Sequence, residues 1–283
     1  MLVHKPDLAA VLLLCLGALG ASAAQSDAPP TDAEIITKVR LTADRIEYSG
    51  IITTEANAGV FELYESAQPK PTALWIESQG GSAGAGMQLG SWVFDNGLDV
   101  EIDTYCFSSC ANYVFPAGRT KVLASRASLM WHGGVTQPIT LEELEAVLGD
   151  TLDHMDEFEE HALLEERSRQ ELLQQLDQSR AALVARETRF FQKIGVDQRI
   201  TMLGHLYERE LLQGEGNYTG WDYSLEDLAR LGVRQIRVRE GGQWAPVFPL
   251  RGGKIYRIRL DSLSEFVPHV QLPMSPPDAR GPT

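Results

Sequence analysis

The sequence predicts an α/β fold, with a central β-sheet flanked by helices and an enlarged acidic helical segment appended to it. Three observations predict it. Short apolar runs of strand length alternate with amphipathic stretches of helix length between Ile35 and His132. Glycine-rich breaks such as QGGSAGAG separate them. The rhythm strand, helix, strand, helix, strand is that of an open α/β sheet. The chain has 283 residues, 43% of them hydrophobic, which suits a globular core and not a disordered or fibrous chain. Its formal net charge is -14, a poor match to a nucleic-acid backbone or an anionic lipid surface, so no nucleic-acid partner is expected.

The N-terminus, MLVHKPDLAAVLLLCLGALGASAAQ, reads as a leader. Lys5 opens it, an apolar run from Leu8 to about Leu19 follows, and Ala21 with Ala23, or Ser22 with Ala24, meets the small-x-small cleavage rule. The apolar run is shorter than the roughly 20 residues a membrane span needs, so an uncleaved anchor is the lesser reading. Residues 1–24 are therefore expected to be removed, leaving a periplasmic or secreted protein. Residues 25–34 form a linker, residues 35–270 the α/β domain and residues 271–283 a Pro-rich tail. Cys106 and Cys110 remain after cleavage. An oxidising compartment permits a disulfide between them, with free buried thiols as the alternative.

Along the domain, ITKVRLTADRIEYSGIIT has strand character, and residues 55–69 read as a helix with Val60, Leu63 and Tyr64 on one side. ALWIES is a strand, MQLGSWVFDNG lies in a helix, LDVEIDTYCF is a strand, and SSCANYVFPAG is a short helix with a Pro-Ala-Gly stop. KVLASRASLMWHGG supplies another strand or two. Residues 141–190 then carry 14 acids, five arginines and no lysine, with apolar residues at helical spacing. They lie within an acidic helical segment spanning 139–212, with a break near Gly149. The segment reads either as a solvated helix along the core or as an oligomerisation or partner-binding arm. His154 and His161 read as surface histidines, and no metal site is expected. Ser224 caps a helix that Gly232 stops, and VRQIRV and IYRIRL are terminal strands expected to pair through the Gly241–Gly242 loop.

Three segments bear chemistry. SQGGS, with Gly80 and Gly81, lets the backbone approach a ligand and aim amides at a developing oxyanion, or it is a plain strand-to-helix turn. In YCFSSCANYVF, Ser109 sits where a strand hands over to a helix, either as a presented nucleophile or as a cap. In SLMWHGG, His132 ends an apolar strand, either as a base for a serine hydroxyl or as a structural imidazole.

Taken together, the words WIESQGGSAGAGMQLG, SSCANYVFPAG, ASLMWHGG and SLEDLARLGV resemble the proteolytic subunit of Clp protease and its exported relatives, which share the ClpP/crotonase-like fold. The resemblance runs from Arg45 to His132 and from Asp222 to Gly232, and with its connections concerns about half of the chain. It implies an ATP-independent serine peptidase acting on peptides or proteins. Ser109 would be the nucleophile and His132 the base. Asp222 would orient His132, and the amides of Gly80, Gly81 and Cys110 would form the oxyanion hole. The position of the family's acid falls on Gly220, not on an aspartate, with Asp222 two residues later. No cofactor and no ATPase partner are expected. The ring-forming relatives imply a homo-oligomer, and residues 141–190 are the expected surface for an envelope protein. Two rival readings accompany the peptidase. One is an inactive scaffold or binding module. The other is a crotonase-like acyl-CoA enzyme, which the fold suits and the secretion signal weighs against.

Overall fold

The computed structural model describes residues 37–42, 44–137, 166–212, 218–239, 241–248 and 254–263. The leader, the linker, the Pro-rich tail and the part of the acidic segment holding His154 and His161 lie outside the described residues. Among those described, no helix is long and apolar enough to cross a membrane.

The protein has an α/β fold, a central mixed sheet flanked by helices. Six strands form that sheet in the order β1 (Lys38–Leu41), β2 (Arg45–Ser49), β3 (Ala73–Glu77), β4 (Asp99–Ile102), β6 (Lys121–Leu123) and β9 (Ile236–Val238). Only β1 runs antiparallel to its neighbour. Two parallel pairs stand beside it, β5 (Tyr105–Phe107) with β7 (Ser128–Met130) and β8 (Tyr218–Tyr223) with β10 (Lys254–Ile258). Single bridges from Ser78 to Cys106 and from Trp131 to Trp221 join these pieces.

Local sequence explains most of the elements. Thr53 caps α1 (Thr54–Ser66) by accepting from the Ala56 amide at 3.1 Å, and Ser82 does the same for α2 (Ala83–Asp95) through Ala85. The apolar strand residues Ile46, Leu74, Val100 and Leu123 are buried on one side of the sheet. The alternate residues Glu47, Glu101, Arg45 and Arg239 form an ion-pair ladder across β2, β4 and the end of β9. Gly90 lets α2 pack on the turn that follows Ser109, since a Cβ there would stand 2.3 Å from the Tyr113 carbonyl oxygen. The long helix α4 (Glu166–Ile194) buries Phe190 and Phe191 against Tyr113. Beyond α3 (Phe115–Ala117), the later helices are α5 (Leu203–Tyr207) and α6 (Leu225–Arg230), the latter capped by Ser224 through the Asp227 amide at 3.0 Å.

Three expectations change. LDVEIDTYCF is two strands, β4 and β5, in different sheets. The terminal strands do not pair with each other: β9 joins β6 and β10 joins β8. The helical segment expected over 139–212 is not continuous at its end: past Ile194 it is a 3-10 turn at Gln198–Thr201, the short α5 and a π-helical turn at Glu208–Leu212.

Candidate active site

The glycine turn packs against the Ser109 turn, and the backbone just after His132 is tied to the same element by the Asn112 side chain, which donates to the Gly133 carbonyl. Gly80 and Gly81 have φ of 105° and 146°, values that side-chain-bearing residues rarely adopt. The turn is fixed on one flank: Ile52 N–H donates to the Gly80 carbonyl at 2.7 Å, and Ser82 N–H to the Ile52 carbonyl at 3.1 Å. A residue paired this way shows its own N–H and C=O to the opposite flank. There the Gly81 carbonyl accepts from the Ser109 hydroxyl at 2.7 Å. Neither the Gly81 nor the Cys110 amide has an acceptor among the described residues.

Ser108 carries φ of 53°, the left-handed region, immediately before Ser109. Its amide donates to Met130 and its carbonyl accepts from Asn112, which holds the sharp passage from β5 into the π-helical turn Cys110–Val114. Such a backbone costs about 1–3 kcal/mol and persists only where its surroundings enforce it. Here a disulfide between Cys106 and Cys110 spans the same passage. A loop this short contributes about 2 kcal/mol in the chain-entropy account. Gly86 packs beside Ser109, and Ser109 itself is only 4% exposed. It is a buried hydroxyl whose proton is already committed to a carbonyl.

His132 follows Trp131, whose amide and carbonyl both pair with Trp221. It opens onto a cleft of about 260 Å³, including the solvent at its mouth, lined by His205, Glu208, Tyr218, Gly220 and Tyr256 among others. Burial holds the His132 imidazole below its ordinary pKa, with a contact to its own backbone acting the other way. His205 is held down first by burial and then by the charge of His132, against the raising effect of the His132 backbone. Both imidazoles therefore favour the neutral form. Folded-state values below the unfolded one give stability that is complete above about pH 6.5 and is lost as pH falls through the folded values. Glu187 and Asp222 act in the opposite sense, because burial raises their carboxyls. The expected result is that His205→Gln, compared with wild type by thermal melts between about pH 7.5 and 5, loses less stability on acidification.

Asp222 does not serve His132. It pairs in register with Arg257 of β10, whose Nε donates to Oδ1 at 2.9 Å while Nη2 meets Oδ2. Both partners shift upward. The carboxylate end is buried, so desolvation dominates there, whereas the half-exposed guanidinium mainly gains from its partner. Nor can an acid stand at position 220, where a Cβ would lie 2.4 Å from the Trp131 carbonyl oxygen. Among the described residues, no group of three or more His, Cys, Asp or Glu side chains could hold a metal ion.

No family model matches this chain, and no curated protein matches it. Among solved structures, one from Streptomyces coelicolor A3(2), named "putative enoyl-CoA hydratase", is similar over 39% of this chain and 53% of its own, at 14% identity and a TM-score of 0.26. This chain thus spans about half the length of that protein. Another, from Novosphingobium aromaticivorans DSM 12444, named "putative enoyl-CoA hydratase/isomerase", is similar over 64% of this chain and 91% of its own, at 10% identity and a TM-score of 0.26. A likeness this slight carries no chemistry across. Both names are those of enoyl-CoA hydratases, and neither is that of a Clp peptidase.

The expected serine peptidase is corrected accordingly. No Ser-His-Asp relay is assembled among the described residues. The Ser109 proton goes to Gly81, Asp222 is held by Arg257, and Gly220 leaves no room for an acid. The Clp-type identity and the peptidase activity fall together. Sequence reasoning missed four participants: Ser108, Asn112, Glu187 and His205. Of these, only Ser108, the first serine of the SS pair, offered a local signal.

Proposed function

We propose that the chain is a crotonase-like enzyme of the hydratase or isomerase kind. Its Gly81 and Cys110 amides receive the carbonyl oxygen of an acyl substrate, and His132 moves a proton at the neighbouring carbon. One observation carries this reading: the Ser109 hydroxyl donates to the Gly81 carbonyl. That leaves amides without acceptors beside a serine that is not activated. Amides fixed in this way stabilise an enolate as well as a tetrahedral oxyanion. With the nucleophile withdrawn, enolate chemistry is the use that remains, and a neutral imidazole suits the proton transfer.

An extracytoplasmic location, after loss of residues 1–24, belongs to the same proposal. The leader pattern and the Cys106–Cys110 bridge support it. The carbonyl compound is then one available outside the cytoplasm, so coenzyme A itself is not required. Self-association fits the crotonase type. A peptide substrate and an envelope partner on residues 141–190 have nothing here to support them.

The test uses protein taken from the envelope fraction, with its intact mass showing whether residues 1–24 are gone. Crotonyl-pantetheine and crotonyl-CoA are offered in D2O, and hydration and α-deuterium uptake are followed by NMR. His132→Ala should lower turnover by about 100-fold or more, while Ser109→Ala should stay within about tenfold of wild type. A folded wild type that neither hydrates nor exchanges either probe would overturn the reading, as would full activity in His132→Ala.

A further inference from the structure

We propose that Glu187, on α4, is a positioning residue whose buried carboxylate locks the turn after His132 to the turn after Ser109. It is 0% exposed. One oxygen accepts from the Tyr113 hydroxyl at 2.6 Å and the other from Gln198 Nε2 at 2.8 Å. The Val135 amide and the Thr136 hydroxyl face the same carboxylate. A Cβ on Gly134 would lie 3.3 Å from its Oε1, so the carboxylate stands directly against the backbone two residues beyond His132. From the other side, Asn112 donates to the Gly133 carbonyl at 2.8 Å.

Asn112 and Tyr113 belong to the π-helical turn that begins with Cys110. The segment 133–136 is therefore clasped twice by the element that presents the Cys110 amide, once directly and once through Glu187. A carboxylate withdrawn from water is a costly way to build a core, and burial does raise its pKa. Its distinctive ability is to accept from several donors at once, which no neutral side chain of its size can do. That ability suits a hub fixing three segments better than it suits packing.

This inference rests on the proposed function only for its kinetic arm. The experiment compares wild type, Glu187→Gln and Tyr113→Phe by backbone amide exchange, by NMR of the His132 imidazole and by turnover of the crotonyl probes. A glutamine places an N–H₂ opposite donors. The Val135 amide should then exchange about tenfold faster, the worth of one lost hydrogen bond. The His132 ring signals should shift although that residue is untouched. Where the probes turn over, kcat should fall about tenfold with KM unchanged, as expected of a misplaced proton-transfer group. Tyr113→Phe removes one donor and should show the same changes in smaller degree; it carries the test if Glu187→Gln does not fold. Unchanged His132 signals and unchanged Val135 exchange in a folded variant would overturn the inference. A wild type silent to the probes, with the NMR changes present, would overturn the enolate reading alone.

Discussion

Gly81→Ala is expected to lower stability by roughly 2–5 kcal/mol, combining backbone strain with overpacking, and to abolish whatever the amide pair does. The added Cβ would stand 2.3 Å from the Ile52 carbonyl oxygen and 2.8 Å from the Ile52 amide nitrogen. Both atoms belong to the backbone that holds the glycine turn, so neither can swing aside as a flexible side chain would. The φ of 146° adds strain whatever space is made. Relief requires breaking the Ile52–Gly80 and Ser82–Ile52 hydrogen bonds, and with them the direction in which the Gly81 amide points. Chemical denaturation of the variant beside wild type checks the magnitude. A loss below about 1 kcal/mol, the size of one net hydrogen bond, would mean that the turn is far more pliable than its bonding implies.

Trp131→Ala is expected to cost about 3–5 kcal/mol, the usual range for emptying a buried indole site. The ring is fully buried and meets Tyr223 edge-on at 5.1 Å, while the backbone of the same residue bridges β7 to β8 through Trp221. Its removal loosens the seam from which His132 projects. The indole Nε1 is buried without a partner among the described residues, so the indole gains nothing from its polar atom. Trp131→Phe should therefore cost less than about 2 kcal/mol, because it leaves a smaller cavity and deletes an unsatisfied donor. The pair of melts separates volume from polarity: equal losses would show that the indole N–H matters after all.

The parts of the fold that the sequence made legible are those written locally. ALWIES followed by QGGS announces a buried strand and a tight turn, because the apolar run and the glycine pair act within a few residues. Ser224 announces a helix start for the same reason. Partner choice is not local. Nothing in VRQIRV or IYRIRL says that the first will join β6 and the second β8, since alternation records which face is buried and not which strand lies alongside. LDVEIDTYCF looks continuous, but the chain turns between Ile102 and Tyr105, where Asp103 meets Arg239 and Thr104 meets Glu77.

The site divides along the same line. Gly80, Gly81, Ser109, Cys110 and His132 were legible as candidates because turns and strand ends mark them. Asp222 was chosen by its distance along the chain, and the register that hands it to Arg257 is visible only in three dimensions. Glu187 was hidden for the opposite reason. It belongs to the acidic helical segment, which reads as a solvated helix, yet its helix turns it onto Tyr113.

The Trp131–Trp221 bridge and the Glu187 clasp give assembly of this site an order in time. Its glycine turn, its serine turn and its histidine are all present by residue 132, but the groups that seat them arrive 55 to 126 positions later, from Glu187 to Ile258. Loops of that length close late and slowly in folding. A chain emerging from synthesis therefore carries every visible motif before it carries their folded arrangement. The arrangement is complete only once the C-terminal third has closed on it.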